Sequence, residues 1–217
     1  MSFSPRTPRH VRAGIVLLDP ELGNVQRVIA LQYNPDSLTR SLQIKGVGGD
    51  GADRTEALRL KGPPVETLRL EAEIDATDSL EAGDTSVTTS GLHSQLALLE
   101  TLVYPTASSL RANHAQAELG TIEIAPMESA LTLFVWSKAR VLPVRITEFS
   151  ITEEGFDPGL NPIRAKVNLA MRVLTVDDVS FGARAGSLFM SYLQHKELLA
   201  ANIGNAAFGA LGITGIA

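Results

Sequence analysis

Apolar and polar residues alternate along two stretches of the chain, and a period of two marks a strand with one buried face. In residues 67–75, Leu68, Leu70, Ala72 and Ile74 alternate with Thr67, Arg69, Glu71, Glu73 and Asp75, which predicts a half-buried antiparallel strand. In residues 163–173, Ile163, Ala165, Val167, Leu169, Met171 and Val173 share one face, and Arg164, Lys166, Asn168 and Arg172 lie on the other. At about 3.4 Å per residue this second strand is roughly 37 Å long, which suits a barrel wall or an extended ring surface.

Residues 131–136 are apolar on both faces apart from Thr132, and residues 141–151 begin with Leu142, Val144 and Ile146 before shifting phase to Phe149 and Ile151. That shift predicts a bulge near Thr147 and Glu148. The polar break at Ser137 and Lys138 makes the two segments a hairpin, and GFDPGLNP at 155–162 is a turn-rich connection to the long strand. Three consecutive strands therefore predict a meander. Upstream, residues 13–18 and 25–33 flank DPELGN and predict another hairpin, while GVGGDGAD at 46–53 reads as a flexible loop.

A period of 3.6 appears twice. Leu92, Leu96, Leu99 and Val103 share a helical face, with Thr89 or Ser90 as the capping residue and Pro105 as the stop. Residues 184–201 carry Leu188, Tyr192, His195 and Leu199 at helical spacing and lead into a Gly/Ala-rich tail. The expected fold is mainly β with α, an α+β arrangement in which the first helix could plug the open side of a curved antiparallel sheet. Residues 1–180 would form that domain and residues 181–217 a C-terminal helical arm and tail.

Composition narrows the function. With 217 residues, 44% of them hydrophobic, the chain can build one sizeable core. The absence of cysteine excludes disulfides, a thiolate zinc site and a cysteine nucleophile. A net charge of −5 and no run of basic residues argue against nucleic acid as a partner. The apolar stretch 14–18 is too short for a signal-peptide core, and the uncharged stretch 198–217 contains four glycines and two asparagines, which weaken it as a membrane span.

Candidate chemistry is sparse. His10, His93, His114 and His195 occur singly, without metal-ligand spacing. Glu71, Glu73, Asp75 and Asp78 form an acidic cluster, but alternation places the first three on the polar face of a strand, where a solvated or subunit-facing edge is the simpler reading. The glycines at 46–53 lack the Gly-Lys-Ser/Thr ending of a phosphate loop. Ser90 and His93 sit in no nucleophile elbow. These residues predict no catalytic, cofactor or metal site. Trp136, the one tryptophan, ends an apolar strand and is a candidate anchor for core or interface.

The order of the pieces resembles the tube-protein-like domain of contractile injection system tube and baseplate proteins. The resemblance begins at Leu31-Gln32-Tyr33-Asn34-Pro35-Asp36-Ser37-Leu38, similar to the aromatic-Asn-Pro turn closing an early strand of that family. It continues through Gly62-Pro63-Pro64-Val65-Glu66-Thr67-Leu68 into the strand ending at Ala76-Thr77-Asp78, and then the helix from Leu92. It closes with Phe134-Val135-Trp136, Phe156-Asp157 and Leu160-Asn161-Pro162-Ile163-Arg164-Ala165. The match covers roughly two thirds of the chain, about residues 25–176. About 40 residues follow Val176, and they contain no LysM module of the kind some family members carry there.

The resemblance implies a curved antiparallel sheet that closes into a β-barrel with one packed helix, in a non-enzymatic structural protein that forms a homo-hexameric ring at the junction of spike and inner tube, initiating tube assembly. Its partners would be the inner-tube protein, the spike or hub protein and other baseplate proteins, with assembly in the cytoplasm into a phage-tail-like particle. Tyr33, Asn34 and Pro35 would shape a turn, Trp136 would anchor core or interface, and Arg164, Lys166 and Arg172 would present a positive strand face to lumen or neighbour. The competing expectations are a monomeric β-barrel module holding a ligand such as a carbohydrate, disfavoured by 5% aromatics, and a hydrolase using residues Glu71 to Asp78.

Overall fold

The computed structural model describes residues 11–19, 22–46, 59–118, 129–203, 208–211 and 214. Their strands are β1 (Gly14–Leu18), β2 (Val25–Ala30), β3 (Thr39–Gln43), β4 (Val65–Asp75), β5 (Leu131–Ser137), β6 (Arg140–Phe156) and β7 (Pro162–Val173). They make one antiparallel sheet in the order β2-β1-β5-β6-β7-β4-β3. The meander β5-β6-β7 and the hairpin β1-β2 follow the alternation and turn signals of the sequence. β3 does not: TRSLQ is almost wholly polar and gives no strand signal.

The core lies on one face of the sheet. Leu68 opposite Met171 and Leu70 opposite Leu169 bring the apolar registers of β4 and β7 to the same side, and all four are buried. β6 keeps its apolar residues on that side by changing phase. Ile146 pairs with Met171 and Glu148 with Ala170, so Thr147 is the extra residue of a bulge, where the phase shift placed it. Phe149 then pairs with Leu169 and Ile151 with Val167.

Helices cover this face. α1 (Thr77–Glu81), α2 (Thr85–Ser90) and α3 (His93–Glu100) follow β4, and Leu92, Leu96 and Leu99 are buried in the core. The expected capping of this helix is corrected by the structure. Thr89 and Ser90 belong to α2, and the residue preceding α3 is Leu92, which makes no side-chain cap. Its amide donates to Pro162 O at 2.9 Å instead, pinning the helix to the start of β7. Gly91, at φ +52°, allows this approach; a Cβ there would stand 2.5 Å from the same carbonyl. Val103, expected on the packed face, is 43% exposed, because α3 ends at Glu100.

α4 (Ala107–Glu118) has no buried residue and no apolar period that sequence could register. α5 (Arg184–Ala201) has the expected bounds but turns a different face inward. Ala185, Gly186, Phe189 and Tyr192 are buried, whereas Leu199 is exposed.

The expected barrel is the main difference. β2 and β3 are the two edges of the sheet, and no strand pairing joins them among the described residues. The sheet is open. The flexible loop expected at 46–53 and the Gly/Ala-rich tail lie largely outside the described residues.

Candidate assembly surfaces

Side chains directly opposite each other on antiparallel strands project to the same side. On the face away from the core, β4, β7 and β6 therefore present cross-strand rows: Asp75, Arg164 and Glu154; Glu73, Lys166 and Thr152; Arg69, Ala170 and Glu148. Between them runs the row Glu71, Asn168 and Ser150, with one carboxylate, and beyond them Thr67, Arg172 and Arg145, with two cations. Lys166 Nζ lies 3.5 Å from Glu154, and Arg69 lies 3.5 Å from Glu148. Such exposed pairs contribute about 0–1 kcal/mol each. Their effect is on charge distribution.

The three basic residues of β7 thus stand in a balanced field. Arg164 is flanked by two carboxylates, Lys166 pairs with one, and Arg172 turns to Asp178 outside the sheet. Asp75 is held below its ordinary carboxyl value chiefly by the Thr77 hydroxyl; slight burial opposes this, and the Thr77 amide and the Arg164 charge add to it. Glu71, Glu73 and Asp75 share the polar face, with Asn168, Lys166 and Arg164 opposite them. Asp78 lies away from them, in the first turn of α1. Among the described residues, no group of three or more His, Asp or Glu is arranged to hold a metal ion.

The Tyr33-Asn34-Pro35 segment has a defined structural task. Asn34 Oδ1 accepts from Ala13 N at 2.9 Å, and Asn34 Nδ2 donates to Val11 O at 2.9 Å. Gln32 does the same across the fold: Asp75 N donates to its Oε1 at 3.0 Å and its Nε2 donates to Asp75 O at 2.8 Å. Two side-chain amides imitate strand neighbours, one beside the approach to β1 and one at the end of β4. Tyr33 is 46% exposed, and its hydroxyl lies 3.3 Å from Gln32 Nε2. Pro35 is half-buried.

Trp136 is half-buried, packing against the core with its ring centroid 6.0 Å from that of Phe134. Near the bulge, the end of α3 and β6 enclose a groove of about 530 Å³ between Val103, Tyr104, Ile146, Phe149 and Ile151, with Glu100 and Glu148 beside them.

The best-connected polar group escaped sequence reasoning. Glu66, 4% exposed, accepts from Arg40 Nε at 2.9 Å and Nη2 at 2.7 Å, from Tyr192 Oη at 3.2 Å and from Lys196 Nζ at 3.2 Å. It ties β3, β4 and α5 together. The signal was its register: residue 66 falls on the even, buried side of β4, with Leu68, Leu70 and Ala72, where a carboxylate needs partners.

No family model matches the chain, and no curated protein matches it. Among solved structures, the chain is similar to a chain from the tail of an empty GTA particle, with 14% identity and a TM-score of 0.28 over 75% of this chain and 90% of that one. A chain from the virion of a native gene transfer agent particle gives 13% identity and a TM-score of 0.26 over 74% and 90%. Likeness this distant leaves the functional reading to the residues and geometry described above.

Proposed function

We propose that the chain is a non-enzymatic structural component of a contractile, phage-tail-like particle, forming a homo-hexameric ring at the baseplate that joins spike to inner tube and initiates tube assembly. The resemblance in the order of sequence motifs suggests the family. The observation that carries the reading is the broad polar face of β4, β7 and β6, where acidic and basic side chains interleave and balance over the face as a whole, so that it presents a hydrated, nearly neutral wall. A lumen that passes another molecule needs such a wall, since a strongly charged one would hold its contents.

The exposed edges β2 and β3 support the same reading. A free edge offers unpaired backbone groups to another chain, and two different edges on one subunit make a head-to-tail contact that closes into a ring. The inner-tube protein, the spike or hub protein and other baseplate proteins would stack above and below, with assembly in the cytoplasm. Arg164, Lys166 and Arg172 belong to the wall, Trp136 anchors the strand beside it, and the exposed end of α5, with Leu198 and Leu199, meets the next layer.

Light scattering on the purified chain over a range of concentrations, alone and with co-expressed neighbouring gene products, tests this. A hexameric mass, alone or with a partner, is expected. A monomer under every condition would overturn the ring and favour a monomeric ligand-binding module.

A further inference from the structure

α4 is twelve residues long, all of its described side chains lie outside the core, and none of them lines the neighbouring groove. A helix this short and this exposed is marginal on its own, since its hydrogen bonds barely offset the cost of nucleation. The segment nonetheless has a start signal, with the Thr106 hydroxyl accepting from Ser109 N at 3.2 Å, and an i, i+4 pair between His114 and Glu118. Among the described residues, none covers an α4 side chain enough to bury it. Leu110 is 50% exposed, flanked in sequence by Arg111 and followed one turn later by His114.

The groove beside the bulge has the complementary character. Val103, Tyr104, Phe149 and Ile151 give it apolar side chains, and Glu100 supplies a carboxylate. The bulge at Thr147 lies along it: Glu148 turns to the polar face, towards Arg69, while Phe149 returns to the apolar side. Val103 and Tyr104 stand just before α4 in the chain, yet no residue of α4 lines the groove with them.

We propose that α4 of one copy docks into this groove of the adjacent copy, with Leu110 as the apolar anchor and Arg111 set against Glu100. The contact is heterologous, a helix on one subunit meeting a groove on the next, so it propagates around a closed ring as an edge-strand contact does. It rests on the ring reading above. It adds a second, side-chain-specific contact that selects the neighbour by charge.

The natural chain has no cysteine, so introduced thiols report contacts without background. Leu110→Cys and Ile151→Cys are made singly and together in the full chain. Mixing the two single variants under mild oxidation should give a disulfide-linked dimer that neither gives alone, and the double variant should give a ladder of linked copies. A double variant that closes only within one chain would overturn the proposal in favour of α4 folding onto its own groove, and no bond in any combination would overturn it outright. Leu110→Glu, at an exposed position, should raise the concentration needed for half-assembly by about tenfold or more, from the loss of one buried leucine, with the circular dichroism spectrum unchanged. Wild-type chain that never assembles would defeat the ring reading itself; wild-type assembly unaffected by Leu110→Glu would defeat this contact alone.

Discussion

At the scale of single residues, Glu66 shows how a carboxylate is kept charged inside a fold. Burial pushes its pKa up, but the Arg40 hydrogen bonds and the charges of Lys196 and Arg40 outweigh burial and hold it below the ordinary value of 4.5. Lys196 Nζ also lies 4.1 Å from the Tyr192 ring centroid, so its charge meets the carboxylate and the ring face at the same place. Glu66→Gln keeps the shape and removes the charge, leaving Arg40 and Lys196 without their counter-ion. A loss of about 2–3 kcal/mol is expected in urea unfolding at neutral pH, less than for a fully buried pair because both cations reach solvent. The pH dependence has a definite sign. Since the folded-state pKa is depressed, the stabilisation is fully present above about 4.5 and is lost as pH falls through the lower folded value. The variant should therefore have a flatter acid limb, its deficit shrinking below pH 4.5. Parallel limbs for the two proteins would mean that Glu66 is not the titrating group.

At the scale of elements, what sequence could read was periodic and what it missed was not. β4, β6 and β7 were legible because one face is buried along most of their length, which forces alternation, and the bulge at Thr147 was legible because the alternation skips a beat there. β3 was invisible because its partner is β4 alone and its exposed edge needs no apolar residues. α4 was invisible because it packs on nothing among the described residues. Of the candidate site, the β7 cations were legible one by one. Their neutralisation by Asp75 and Glu154 was not, because cross-strand pairing depends on register. α5 was placed correctly along the chain but misread in rotation: small residues at 185 and 186 let the helix approach closely, and Phe189 rather than Leu188 turns inward. That packing makes truncation informative. Ending the chain at Val179 removes Phe189 and Tyr192 from the core and three partners' worth of contacts with Glu66 are reduced to Arg40 alone. A loss of about 4 kcal/mol or more is expected in chemical denaturation. A truncated chain with the full-length midpoint would instead make residues 181–217 a separable arm.

At the scale of the whole molecule, the sheet is open in its pairing yet tied across its ends. The connection from β2 to β3 must travel from one edge of the sheet to the other, and Gln32 and Asn34 fasten it on the way. An amide side chain offers N–H donors and a carbonyl acceptor in one plane, as a peptide group does with its single N–H, so it can extend a ladder without committing a strand to it. In a ring subunit of the kind proposed, closing the strands would consume the edges offered to neighbours, whereas leaving the ends loose would let those edges wander. Gln32→Ala tests the idea. Both hydrogen bonds to Asp75 are lost, at about 1 kcal/mol net for each. Hydrogen exchange at the Asp75 amide, which donates to Gln32, should accelerate by about tenfold or more, while Leu169 in the centre of β7 should keep its protection. Equal acceleration at both would mean that Gln32 supports the fold as a whole, and unchanged exchange at Asp75 would mean that the end of β4 is held by its pairing with β7 and needs no tie to the β2–β3 connection.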